Sequence, residues 1–195
     1  VTMKVFDMRQ QSRSIEWHLP PSLNNVCYIA QEGSALWAGT VSGQLVILDL
    51  RTGVVRCAWQ GHDGAVTGIE SLDNGTVTTT SSDRTIATWN CAASPANDVG
   101  LAWDNAWGSS PEHIQWWGKE NQDKLYLTEP LIGLARFGGR YSAALASGVV
   151  LAKPPGEIYQ SRLKDFRSNV SSIASMRYSR LLVFGCEDGK LRACY

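Results

Sequence analysis

His62, Ser81 and Asp83 fall within one stretch, Gly61–Asn90 (GHDGAVTGIESLDNGTVTTTSSDRTIATWN), and by type they are the residues that could do chemistry. A histidine can act as a base or ligate a metal. Neither role finds support in the spacing. His18 and His113 stand apart, without Cys, Asp or Glu at metal-ligand intervals. The five cysteines (Cys27, Cys57, Cys91, Cys186 and Cys194) are odd in number and include no C-x-x-C pair, which argues against a zinc cage or a disulfide framework. Asp83 and Asp188 each open a tight turn, where an Asp side chain bonds nearby backbone N–H groups. No paired carboxylates for hydrolysis are suggested, and the tract Thr78–Ser82 lacks the G-x-S-x-G elbow of a nucleophile. The expectation is a chain without metal or cofactor, in which His62 is structural.

The elements around these residues are short and β-rich. Val66–Leu72, Thr76–Ser82 and Thr85–Trp89 read as strands, punctuated by Asp73-Asn74-Gly75 and by Ser82-Asp83-Arg84. Upstream, Thr2–Arg9, Ser14–Leu19, Val26–Ala30, Ala35–Thr40, Gln44–Leu50 and Val54–Trp59 read the same way. Downstream come Pro130–Phe137, Ser142–Ala146, Val149–Lys153 and Glu157–Leu163, then Val170–Ala174, Leu181–Cys186 and Lys190–Cys194. The pattern repeats. Asp7 and Asp49 are 42 residues apart, and Asp49 and Asn90 are 41 apart, within the related pieces VFDMRQ, ILDLRT and TWNCAA. The turns at Ser42-Gly43, Asp83-Arg84, Ser147-Gly148 and Asp188-Gly189 give intervals of 41, 64 and 41, so one repeat carries an insertion of about 23 residues.

Four short strands every ~40–45 residues is the period of WD40 propellers, whereas helical repeats of similar length would need a helical periodicity that these runs lack. The fold expected is all-β, a partial WD40-type β-propeller of about four blades plus partial ends of a seven-blade ring. The segments are the end of a blade (1–20), blades at 21–60 and 61–101, a Trp-rich insertion (102–126), a degenerate blade (127–166) and a last, three-stranded blade (167–195). The reading places the missing blades before Val1. A sheet of four strands cannot bury both faces alone, so stacked neighbours must cover it.

Composition agrees with a packed domain. The apolar fraction is 44%, enough for a core, and 18 basic residues balance 18 acidic ones. A net charge of zero argues against a nucleic-acid partner. No apolar run approaches the ~20 residues of a membrane-spanning helix, and free cysteines in strand-like runs fit a reducing, cytoplasmic setting.

In Gly61–Asn90, His62, Ser81, Asp83 and Trp89 resemble, position for position, the hydrogen-bonded tetrad of WD40 repeats. The resemblance implies that the turn Asp accepts from the loop His, that the His contacts the strand Ser, and that the Ser contacts the indole. The blade around Asp49 has Leu48 in place of the Trp and no loop His, and the last blade keeps only Asp188. The order of the runs LWAGTVSGQLVILDLRTGVVRCAWQGHDG, TVTTTSSDRTIATWN and RLKDFRSNVSSIASMRYSRLLVFGCEDGKLRACY is similar to the C-terminal propeller of BEACH-linked WD-repeat proteins. That resemblance implies a non-catalytic scaffold within an endosomal regulator of phosphatidylinositol 3-phosphate, endosome maturation and autophagy. The implied partners are another WD-repeat protein and components of the phosphatidylinositol 3-kinase complex, on the cytosolic face of endosomes. The alternatives are a phosphoinositide-binding or enzymatic propeller, or a generic scaffold unrelated to endosomes.

Two further stretches bear on these alternatives. Phe137-Gly138-Gly139-Arg140 is similar to the Phe-Arg-Arg-Gly motif of phosphoinositide-binding propellers but lacks the paired arginines that clamp a phosphate, and reads as a turn. The insertion holds four of the eight tryptophans: Trp103, Trp107, Trp116 and Trp117. Ser110-Pro111-Glu112 is a helix-start signal, predicting one or two helical turns that carry Trp116 and Trp117. These tryptophans either cover the degenerate blade or, together with Arg84, contact a partner.

Overall fold

The computed structural model describes residues 2–6, 9, 14–18, 25–32, 34–71, 76–90, 112–114, 129–137, 140–153, 159–162, 168–176 and 181–194. The described residues form antiparallel sheets and no helix. The first sheet pairs β1 (Thr2–Phe6) with β2 (Ser14–His18). The second runs in order through β3 (Val26–Glu32), β4 (Ala35–Thr40), β5 (Gln44–Asp49) and β6 (Val55–Gln60). The third contains β7 (Val66–Ser71), β8 (Thr76–Ser81), β9 (Ile86–Asn90) and β10 (Glu112–Ile114). The fourth contains β11 (Leu131–Phe137), β12 (Arg140–Leu145), β13 (Val149–Lys153) and β14 (Tyr159–Arg162). The last has three strands, β15 (Val170–Ser175), β16 (Leu182–Cys186) and β17 (Leu191–Cys194).

The leading strands β3, β7, β11 and β15 each form one edge of their sheet, and they touch in series, β3 against β7, β7 against β11 and β11 against β15. All four carry the same irregularity. The pairing slips by one residue immediately after the first pair, leaving Cys27, Thr67, Ile132 and Ser171 as the extra residues. A bulge bends a strand and increases its twist. Placed identically in each leading strand, it gives successive sheets the same turn about a common axis. This is the geometry of propeller blades.

The sheets are held by what lies between them. Trp17 from β2 packs with Leu36, Ala38, Val46, Leu48 and Ala58 of the second sheet. Between the second and third sheets, Trp37, Trp59 and Trp89 form an edge-to-face series, with centroids 5.7 and 5.3 Å apart and interplanar angles of 86° and 68°. Leu45, Val66, Ile69 and Val77 fill in around them. Ala135, Ala144, Val170, Leu182 and Phe184 join the last two sheets. Because blades stack on both faces, the middle strands are buried on both sides and even their hydroxyls must be paired. Thr78 bonds Thr88 at 3.1 Å, and Thr67 bonds Thr80 at 3.1 Å.

One expectation is corrected. Glu112–Ile114, read as the start of a helix, is strand β10, with Glu112, His113 and Ile114 opposite Asn90, Trp89 and Thr88. A cap signal contributes about 1 kcal/mol, and a helix of one or two turns is marginal in water. Pairing with the open edge of β9 satisfies backbone groups that such a helix would leave unmade. The fourth strand of the blade read as 61–101 therefore comes from within the stretch read as an insertion. Trp103, Trp107, Trp116 and Trp117 lie outside the described residues. Phe137 and Arg140 form the terminal pair of the β11–β12 hairpin.

The closeness of the blades can be tested at Gly39 of β4, where an added Cβ would lie 2.5 Å from a methyl of Val66 on β7. Gly39→Ala should lower stability by about 1–3 kcal/mol in chemical denaturation. Combining it with Val66→Ala should lose less than the sum of the two single effects, because the second change removes the obstructing atoms.

Candidate functional site

His62 lies in the loop between β6 and β7, its side chain fully buried. Its Nε2 is 2.7 Å from Thr79 Oγ1, and its Nδ1 is 2.7 Å from Thr85 Oγ1. The proton directions follow from the ends of this chain. The Trp89 indole N–H can only donate, and it donates to Thr79 Oγ1 at 2.9 Å. The ionised Asp83 carboxylate can only accept, and Thr85 Oγ1 donates to its Oδ1 at 2.5 Å. Thr79 is then free to donate to His62 Nε2, while His62 Nδ1–H donates to Thr85. A neutral histidine carrying its proton on Nδ1 satisfies every group from indole to carboxylate.

The turn between β8 and β9 is built around the acidic end. Asp83 Oδ1 accepts from the Thr85 N–H at 2.8 Å, and Oδ2 accepts from the Asp63 N–H at 2.8 Å. Burial opposes ionisation of Asp83, but the Thr85 hydroxyl, these two amides and His62 together hold its pKa below the usual carboxylate value. His62 Nδ1 itself is 3.5 Å from Asp83 Oδ2, so the link between them runs through Thr85.

Ser81 does not occupy the position expected of it. Its hydroxyl accepts the Asp83 N–H at 3.1 Å, and Thr79 is the residue that joins His62 to Trp89. Pleat geometry explains the difference. Trp89 faces Val77 across the β8–β9 ladder. Thr79 is the diagonal neighbour two residues along the same face, whereas Ser81 is four along, about 13 Å away at the rise of a strand. Thr79 and Ser81 share a face, so the repeat motif alone did not separate them. Thr85 was also missed; its place two residues after a turn Asp was the available signal.

The other turns use their aspartates differently. Asp49 closes β5 and accepts the Arg51 and Thr52 N–H groups at 2.8 and 3.1 Å. It also pairs with Arg56, the extra residue of a second kind of bulge, on β6. The Arg56 guanidinium, with those two amides, holds the Asp49 carboxyl at about 2. In the last blade Arg192 grips both oxygens of Asp188 at 3.0 and 2.6 Å, and likewise holds its carboxyl at about 2.

What these groups can do is hold turns. Both nitrogens of His62 are engaged, and the Thr79 and Ser81 side chains are buried. Among the described residues no three His, Cys, Asp or Glu converge to hold a metal ion. No helix of the described residues is long and apolar enough to cross a membrane.

Blades with inner bulges, an interblade aromatic series and a polar chain from loop His to strand Trp define a segment of a WD40-type β-propeller. The comparisons agree. No protein-family model matches the chain. It is 25% identical over 195 residues to human WD repeat-containing protein 81, covering 98% of this chain and 9% of that protein. It is 27% identical over 158 residues to protein GFS12 of Arabidopsis thaliana, covering 80% and 9%. The chain thus spans about a tenth of the length of these curated relatives. The propeller domain of Cps50 (Swd1) from Myceliophteria thermophila superposes with a TM-score of 0.66 at 17% identity, covering 94% of this chain and 61% of that one.

Two measurements test the site. Thr79→Val should cost about 1–3 kcal/mol, because it strands both the indole N–H and the imidazole, while Ser81→Ala should cost less. Equal losses would return Ser81 to the network. The pH dependence follows from the lowered carboxyl pKa values. Asp49 and Asp188 are protonated less readily in the folded chain than in the unfolded one, where an Asp titrates at about 3.9. Their contribution is therefore present above about pH 4 and is lost as pH falls towards about 2. Asp49→Asn should flatten the fall in melting temperature across that window.

Proposed function

We propose that this chain is a non-catalytic protein-interaction scaffold and that it works within an endosomal regulator of phosphatidylinositol 3-phosphate. The observation that carries the scaffold reading is the engagement of both His62 nitrogens by Thr79 and Thr85 in a fully buried position. The buried histidine is thereby engaged in fixing a turn, and the fold presents a rigid face of loops.

The endosomal reading is supported by similarity to WD repeat-containing protein 81 across 98% of the chain. The partners on this reading are a second WD-repeat protein and components of the phosphatidylinositol 3-kinase complex, met on the cytosolic face of endosomes. Trp103, Trp107, Trp116 and Trp117, together with Arg84, are the residues proposed to meet them. In cells depleted of the protein, extracted phosphatidylinositol 3-phosphate should rise and the intact protein should restore it. A Trp116→Ala/Trp117→Ala form should fail to do so. No rise on depletion would remove the endosomal role, and full rescue by the double variant would remove the tryptophan contact.

A further inference from the structure

The turns after the second strand of each blade are closed by the same backbone bond. Gly43 N–H donates to Thr40 O, Arg84 to Ser81 O, Gly148 to Leu145 O and Gly189 to Cys186 O, at 3.0–3.3 Å. The donor residue has a left-handed backbone every time, with φ of 85°, 73°, 78° and 74°. Three of the four are glycine, the residue that reaches this conformation without a steric penalty. Arg84 is the exception. Lack of room accounts for Gly43, where an added Cβ would lie 2.0 Å from His62 O, but not for Gly189, where it would meet nothing within 4 Å. At Gly189 the glycine is suited to φ alone, and Arg84 bears a strain that a glycine would relieve.

The surroundings hold Arg84 in that conformation. Asp83 fixes the turn through Thr85 and Asp63, and the Ser82 N–H donates to Ala65 O at 2.9 Å. The neighbouring blade is tied in as well. The Gln60 amide donates to Ser42 O at 2.7 Å and His62 O at 2.6 Å, and the Gly61 and His62 N–H groups donate to Gly43 O at 3.2 and 3.1 Å. Turns 41–43, 61–65 and 82–85 therefore form one continuous rim across two blades. On it Val41 is 53% exposed and Asp63 and Arg84 are exposed. No hydrogen bond or ion pair among the described residues engages the Arg84 guanidinium.

We propose that Arg84 is the anchor of a binding surface for an acidic protein segment, a carboxylate pairing with its guanidinium while an apolar neighbour rests on Val41. This deepens the scaffold reading and rests on it. A guanidinium accepts a single carboxylate through two parallel bonds. Nucleic acid or an anionic bilayer would need several cations acting together. The rim instead offers one free arginine beside Asp63, on a chain of net charge zero. That pattern suits one well-placed carboxylate and opposes a polyanion.

The probes are an acetylated, amidated leucine–glutamate–glutamate–leucine peptide and its glutamine counterpart, titrated into the isotopically labelled protein. Amide resonances of residues 82–85 should shift saturably with the glutamate peptide and about tenfold more weakly with the glutamine one. Arg84→Gly should abolish the response and raise the melting temperature, because strain is released. Arg84→Gln, which keeps the strained backbone, should abolish the response without that rise. An Arg84→Gly protein that melts no higher, or a peptide response that survives either substitution, would overturn the proposal. So would Arg84-dependent binding to phosphatidylserine vesicles without a glutamate response. None of these results bears on the tryptophan and lipid measurements that test the scaffold reading.

Discussion

Trp89 belongs to two systems at once, and the third blade depends on both. Its ring ends the edge-to-face series with Trp59 and Trp37, which buries the face shared by two sheets. Its N–H begins the polar chain through Thr79, His62 and Thr85 to Asp83. Apolar packing alone is non-directional and would let one blade slide on the next. Direction comes from the polar chain within the third blade and from the Gly61 and His62 N–H groups, which donate to Gly43 O of the second. The loop before β7 and the turn after β8 are thereby fixed relative to the aromatic seam.

The same requirement is met differently elsewhere in the ring. The second blade has no His and no Trp in the corresponding places, and an Asp–Arg pair beside a bulge ties down the turn after β5. In the last blade Arg192 reaches back to Asp188 across one turn. The Asp188–Arg192 pair lies at the surface, where such pairs contribute little, whereas Asp49 is buried and its turn is held by Arg56 and two backbone amides. Among the described residues the third blade combines a full polar chain with a Trp series, and it also carries an arginine where its sister turns carry glycine.

Most strands were legible because their signals are local. Alternation in TMKVF and the apolar run LVILD are visible to the eye, and the turn dipeptides recur every 41 residues on either side of one longer interval. The structure moves most strand ends by only a residue or two. The network was legible at His62, Asp83 and Trp89 but not at Thr79, since the choice between Thr79 and Ser81 depends on cross-strand register. Strand β10 was illegible for a related reason. Only Ile114 in Glu-His-Ile favours a strand, too little to predict one until the open edge of β9 lies beside it.

The repeat period, the strand content and the positions of the tight turns were determined by the sequence by itself, because each depends on residues within a few positions of one another. Tertiary structure decided which hydroxyl completes the chain between His62 and Trp89, where the leading strands bulge, and what becomes the fourth strand of the third blade. Those features depend on groups brought together across sheets, where pairing of backbone and buried polar atoms outweighs local preference. The stretch Gly61–Asn90 shows both. Its type could be read from its spacing, but its hydrogen bonds could be read only from its neighbours.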